Sequence, residues 1–237
     1  MKREDNHTDS HHHYVWQQRD WPHWAYDPKR LASLLAEVHL AHDHLLGRMH
    51  NLGPDLQNQA TLRILTEDVL KTSEIEGEKL DPEAVRSSIA RRLGVDIGAL
   101  APVDRHIDGV VDMVLDATQK HTAPLTQERL FGWHAALFPT GHSSLTKIRV
   151  GQWRDDAHGP MQVVSGPIHR QKVHYEAPPA HLLDVEMQDF LSWFNVDNQD
   201  DPVVKAALAH LWFVTIHPFE DGNGRIARAV GDMALAR

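Results

Sequence analysis

Over residues 203–216 nearly every side chain is apolar, and the stretch is framed by Asp201-Pro202 before it and Pro218 after it. An aspartate followed by proline makes an N-cap and a first helical residue, and a proline two positions past Ile216 cannot continue the helix. A helix apolar all round has no face for water and needs neighbours on every side, so this segment predicts the centre of a helical bundle. It is too short to span a bilayer, which takes about 20 apolar residues.

Most of the remaining chain supplies helices for such a bundle. Residues 28–48 place Leu31, Leu34, Leu35, Val38, Leu45 and Leu46 at three- and four-residue steps behind Asp27-Pro28. Asn51-Leu-Gly-Pro-Asp reads as a turn, close to a composition shift at residues 50–56. A second helix is expected over 57–76, with Leu62, Leu65, Val69 and Leu70 inward and Gly77 ending it. Asp81-Pro82 restarts a helix that Gly94 closes, and further helices are expected over 104–120, 126–138 and 179–195. Only residues 161–175 read as extended: Val163 and Val164, then Val173 and Tyr175, flank Ser165-Gly166-Pro167, the pattern of an irregular hairpin. The expected class is all-α with one short β-hairpin.

With no cysteine, disulfides, thiolate metal sites and cysteine nucleophiles are excluded. Lys and Arg number 24 against 33 Asp and Glu, a net charge of −9, which offers nucleic acid no attractive field. The polar first residues hold no signal core, and the expectation is a cytoplasmic protein without membrane contact. Residues 1–13, with His11, His12 and His13, read as a disordered, solvated tail. His39, His42, His44 and His50 do not converge on one helical face and read as packing or solvated side chains.

After the buried helix comes His217-Pro-Phe-Glu-Asp-Gly-Asn-Gly-Arg-Ile-Ala-Arg228. The chain must break at Pro218 and re-enter a helix near Asn223 or Gly224. Gly222 and Gly224 permit positive φ and close approach, so backbone N–H groups and the positive end of the next helix can form a cradle for phosphate. Arg225 and Arg228, one turn apart, can fork onto phosphate oxygens. Asp221 suits Mg²⁺, which keeps most of its water and takes one carboxylate plus phosphate oxygens. Asn223 can orient a phosphate oxygen or the metal's water shell, and His217 can take a proton from an attacking hydroxyl. Together these residues specify metal-assisted transfer of a phosphorus group.

The segment resembles the signature of the Fic family, His-Pro-Phe-x-Asp/Glu-Gly-Asn-Gly-Arg-x-x-Arg, at every fixed position. The resemblance implies a Fic-fold helical bundle and transfer of AMP from ATP to a Tyr, Thr or Ser hydroxyl of a target protein. It implies His217 as general base and Asp221 as the ligand of Mg²⁺ (or Mn²⁺). Gly222, Asn223 and Gly224 would line the anion hole, Arg225 and Arg228 would bind the β- and γ-phosphates, and Phe219 would point into the core. Gly151-Gln-Trp-Arg154 and the extended segment look like the family's flap, whose Val163, Val164, Ser165, Gly166 and Val173 would hold an extended target segment by strand addition. Thr72-Ser-Glu-Ile-Glu76-Gly is similar to the family's inhibitory motif, with Thr72 and Glu76 at the marked positions; a carboxylate reaching Arg228 would occupy the guanidinium needed for the γ-phosphate.

The resemblance divides the chain into a helical N-terminal domain at 14–56, the inhibitory helix with connecting helices at 57–100, and a catalytic domain at 101–237. The chain stops nine residues past Arg228, where family members continue with at least one more helix, so a truncated domain is expected. Removal of AMP from targets, transfer of another nucleotide or of phosphocholine, and a homodimer stay open. The alternative from another class is a catalytically quiet, nucleotide-sensing interaction module.

Overall fold

Aspartate-proline pairs set three helix starts. In α1 (Pro28–His50), α3 (Pro82–Leu93) and α7 (Pro202–Ile216) the preceding Asp27, Asp81 and Asp201 accept from the N–H groups of Lys29, Glu83 and Val203. Asp104 caps α4 (Arg105–Gln119) and Thr126 caps α5 (Gln127–Leu137) in the same way. The others are α2 (Pro54–Ile75), α6 (Leu183–Asn195) and α8 (Asn223–Ala236). The computed structural model describes residues 14–167, 170–196 and 200–237, and the tail expected at 1–13, with its three histidines, lies outside them. Among the described residues the chain is mainly α-helical with two antiparallel strand pairs, β1 (His142–Ser143) with β2 (Thr146–Lys147) and β3 (Gln162–Ser165) with β4 (Lys172–Glu176).

Several expectations need correction. The second helix starts at Pro54 inside the expected turn, because Gly53 gives an extended entry and proline fits the first helical position, so a division at 56/57 cuts its first turn. The pair β1–β2 is too short to leave a periodic signal. Residues 180–182 form a 3₁₀ turn ahead of α6 rather than part of it. Leu62, Leu65 and Val69 are buried, but Leu70 only partly. Helix α1 has no buried residue: Leu34, Val38, Leu45 and Leu46 are exposed, and Leu31 and Leu35 are only partly covered. Helix periodicity records one-sidedness, not what covers that side.

The core lies where α7 and α8 pack on α4, α5 and α6. Phe190, Phe194, Phe213, Ile216, Phe219 and Met233 are fully buried there. Helix α7 is not enclosed on every side as its composition suggested: Ala207 and Leu211, one turn apart, are exposed. Gly109 lets α4 approach α5 so closely that a Cβ would run into the Ala136 carbonyl. The N-terminal segment is anchored by tryptophans, with Trp21 and Trp24 packing edge-on against Trp212 of α7 and Trp21 Nε1 donating to Glu186 at 2.9 Å. His39 of α1 lies 2.6 Å from Asp201. No helix among the described residues is long and apolar enough to cross a membrane.

Candidate functional site

The break after α7 follows from three local features. His217 takes the left-handed conformation (φ 53) as its N–H closes the helix on the Phe213 carbonyl, and Pro218 turns the chain away. Phe219 is fully buried and stacks on His134 with ring centroids 4.2 Å apart. Gly222, at φ 79, then opens α8, where a Cβ would press on Phe138 and Leu137. The first N–H groups of α8 have no intrahelical carbonyl to bond, so the loop ends on the positive pole of a helix.

Asn223 also has a structural part within the loop. Its side chain is buried and committed to the loop, with Phe219 N–H donating to Oδ1 at 2.9 Å and Nδ2 donating to the Phe219 carbonyl at 2.8 Å. These two bonds clip the loop shut and use Oδ1 and one of the two Nδ2 N–H groups. Gly224 needs no positive φ; a Cβ there would press on the Glu76 carboxylate, which would have to shift.

His217 is set up as a base. Its Nδ1 lies 3.2 Å from the Val214 carbonyl, which fixes the proton on Nδ1 and leaves the Nε2 lone pair outward. Burial and then the Arg154 charge hold its pKa below the ordinary histidine value, so the ring is neutral at pH 7. Arg154 is itself buried; Nε donates to the His217 carbonyl at 2.8 Å, a terminal nitrogen to the Pro178 carbonyl at 2.6 Å, and the other to Asp156 at 3.1 Å. Its own N–H donates to the Pro218 carbonyl at 2.9 Å. One side chain thus ties the left-handed histidine to the segment where the hairpin ends.

His134 supports the loop from α5. Gly151 N–H donates to Nδ1 at 3.1 Å, so Nε2 carries the proton and donates to the Asp221 carbonyl at 3.2 Å. Burial lowers its pKa from 6.5 to about 4. A lowered pKa gives stability that is present above the unfolded value of 6.5 and lost as pH falls towards 4, at most about 3 kcal/mol for a shift of this size. Urea unfolding of the wild-type chain is expected to lose stability between pH 7 and pH 4.5, and His134→Gln to lose clearly less over the same interval.

Asp221 receives the Ser143 hydroxyl from β1 and the Gly222 N–H at 2.6 Å. These two donors aim a half-exposed carboxylate at the mouth of the cradle. A single hard oxygen donor there fits a cation that completes its shell with water and phosphate oxygens. The neighbouring Glu220 is turned away, accepting from Arg149 N–H at 2.9 Å.

The two arginines of α8 meet the end of α2. Arg228 Nε donates to the Thr72 hydroxyl at 2.7 Å, and a terminal nitrogen to the Thr72 carbonyl at 3.1 Å and the Glu76 carboxylate at 2.5 Å. Gly77, at φ 80, and the Glu78 N–H to Ser73 carbonyl bond wrap the end of α2 so that Glu76 faces α8. Arg225 is buried over the Phe138 ring at 5.2 Å and pairs with Glu78 at 3.1 Å.

In the hairpin, Val163 pairs with Tyr175 and Val164 with Val173, with an irregularity between the two valines. Val163, Val164 and Val173 are exposed, Ser165 pairs with Lys172, and Gly166 turns the chain at φ 93. Tyr175 anchors the hairpin by donating to the Thr215 carbonyl at 2.6 Å.

His217, Asp221, Gly222, Gly224, Arg225, Arg228, Thr72 and Glu76 converge on one locality, and the hairpin joins it through Arg154 and Tyr175. Sequence reasoning missed Ser143, His134, Glu78 and His106. None sits in a motif, and only Arg154 carried a signal, within Gly151-Gln-Trp-Arg154.

Residues 14–95 match a family described as a domain of unknown function (DUF4172), and residues 124–235 match the Fic/DOC family. A protein adenylyltransferase Fic of Drosophila willistoni is 29% identical over 217 residues, covering 89% of this chain and 39% of the relative. A uridine 5'-monophosphate transferase of Xanthomonas campestris is 32% identical over 48% of this chain and 22% of its own length. The chain therefore spans well under half of these relatives. Among solved structures, a Fic domain containing signaling protein from Bacteroides thetaiotaomicron superposes with TM-score 0.60 at 21% identity, over 88% of this chain and 72% of that one. A Fic family protein from Desulfovibrio desulfuricans does so with TM-score 0.58 at 24% identity, over 90% and 58%. The chain thus carries a Fic/DOC domain at residues 124–235 with a DUF4172 region ahead of it.

Proposed function

We propose that the chain transfers AMP from ATP to a hydroxyl group of a target protein and that Glu76 holds it inactive. The carrying observation is a neutral His217 at the rim of a helix N-terminus where Asp221, Arg225 and Arg228 gather, with Glu76 paired to Arg228. The acceptor hydroxyl gives its proton to Nε2, its oxygen bonds to the α-phosphorus, and the bond to pyrophosphate breaks. Loop N–H groups with Arg225 and Arg228 stabilise the charge that collects on phosphate oxygens. Mg²⁺ at Asp221, or Mn²⁺ in its place, would neutralise the same charge. The hairpin offers free strand edges with exposed valines, suited to hold an extended target segment beside the nucleotide.

Glu76 and Thr72 support the inhibited reading, because between them they engage Arg228 through both Nε and a terminal nitrogen. The relatives' names, one an adenylyltransferase and one a uridine 5'-monophosphate transferase, favour nucleotidyl transfer over a purely sensing role. Titration calorimetry with Mg²⁺ and ATP is expected to give binding to the wild-type chain and tighter binding to Glu76→Gly, which removes the carboxylate paired with Arg228. No binding by either protein would overturn the proposal.

A further inference from the structure

Glu78 lies outside every motif read from the sequence, yet it sits between two cations beside the cradle. Its Oε2 accepts from Arg225 at 3.1 Å and from His106 Nε2 at 3.0 Å. The other ring nitrogen, Nδ1, is 3.2 Å from the Leu137 carbonyl oxygen. Both nitrogens of His106 face acceptors, so both bonds form only when the ring carries two protons. The directions agree: the bond to Glu78 raises the pKa of His106, and the bond to His106 lowers that of Glu78.

Arg225 and Arg228 meet the end of α2 in different ways. Arg228 has Nε and a terminal nitrogen engaged by Thr72 and Glu76. Arg225 is held by one terminal nitrogen only, and its Nε is buried with no hydrogen-bond partner. A buried guanidinium needs a counter-charge, and a buried N–H without an acceptor is costly. Glu78 supplies the first, and Nε is left as a buried donor without an acceptor in this structure.

From this contrast we infer that Glu78, braced by the His106 imidazolium, is a positioning residue for Arg225. It balances the buried charge and fixes the plane of the guanidinium, so that the uncommitted donor meets phosphate oxygens beyond the α-phosphate. The inference rests on the cradle being a triphosphate site. Glu78 therefore works with the ligand, whereas Glu76 works against it.

The test uses the full chain carrying Glu76→Gly and His217→Ala, which binds without turnover, titrated in a calorimeter with Mg²⁺ and either ATP or AMP. Adding Glu78→Gln is expected to weaken ATP binding roughly tenfold, as for loss of one well-oriented charged contact, and to leave AMP binding unchanged. His106→Gln is expected to act in the same direction, by about threefold, because the neutral amide still donates to Glu78 but brings no charge. In an Arg225→Ala background Glu78→Gln is expected to add nothing. Equal losses for ATP and AMP would reduce Glu78 to a structural role and overturn the inference, as would unchanged or tighter ATP binding. Absence of ATP binding in the parent protein would overturn the triphosphate reading itself, and this inference with it.

Discussion

Glu76→Gly is expected to raise self-labelling from α-labelled ATP roughly a hundredfold over the wild-type chain. The estimate follows from the latch: the charge-assisted bond between the Glu76 carboxylate and Arg228, in a half-buried setting, is worth up to about 3 kcal/mol, which leaves about one molecule in a hundred open. The carboxylate lies against the start of α8, close to where a Cβ on Gly224 would be, and removing it clears that approach and leaves Arg228 held by Thr72 alone. Thr72→Ala removes the hydroxyl that orients Arg228 but leaves the Glu76 pair, so its effect is expected to be smaller and in the same direction. Equal labelling of wild type and Glu76→Gly would remove Glu76 from the regulatory role.

In the Glu76→Gly chain, His217→Ala is expected to lower labelling by roughly 10²- to 10⁴-fold, the range for losing a positioned general base. The position is left-handed, which disfavours any side chain with a Cβ by about 1–2 kcal/mol, so His217→Asn is the better-controlled variant because asparagine tolerates this conformation. Both are expected to keep the folded helical signal. The acid limb of the rate profile is expected below the ordinary histidine range, because burial and the Arg154 charge hold the ring neutral. A limb at or above that range, or retention of activity in His217→Asn, would assign the proton transfer elsewhere.

Much of this was legible in the sequence because the features are local. Aspartate-proline caps, the glycine stops at Gly77 and Gly94, and the apolar run before His217 each act within one or two turns, and the structure has them where the pattern puts them. What escaped depends on pairing between distant segments. Glu78 meets Arg225 and His106 through three separate elements, and Ser143 reaches Asp221 from a two-residue strand. Asn223 has a part the motif did not show: a short amide beside a tight turn bonds the nearest backbone groups and holds the loop. The leucines of α1 have the spacing of a buried face but at most partial cover, since periodicity carries no information about what packs there.

The most direct test follows the fate of the nucleotide's phosphates on the Glu76→Gly chain. Incubation with Mg²⁺ and ATP labelled at either the α- or the γ-phosphate, followed by intact-protein mass spectrometry and counting, is expected to give label from the α-position only, a mass gain of one adenylyl group, and pyrophosphate in solution. Label arriving from the γ-position, or no covalent label while ATP still binds, would contradict a cradle that presents the α-phosphorus to a hydroxyl deprotonated by His217.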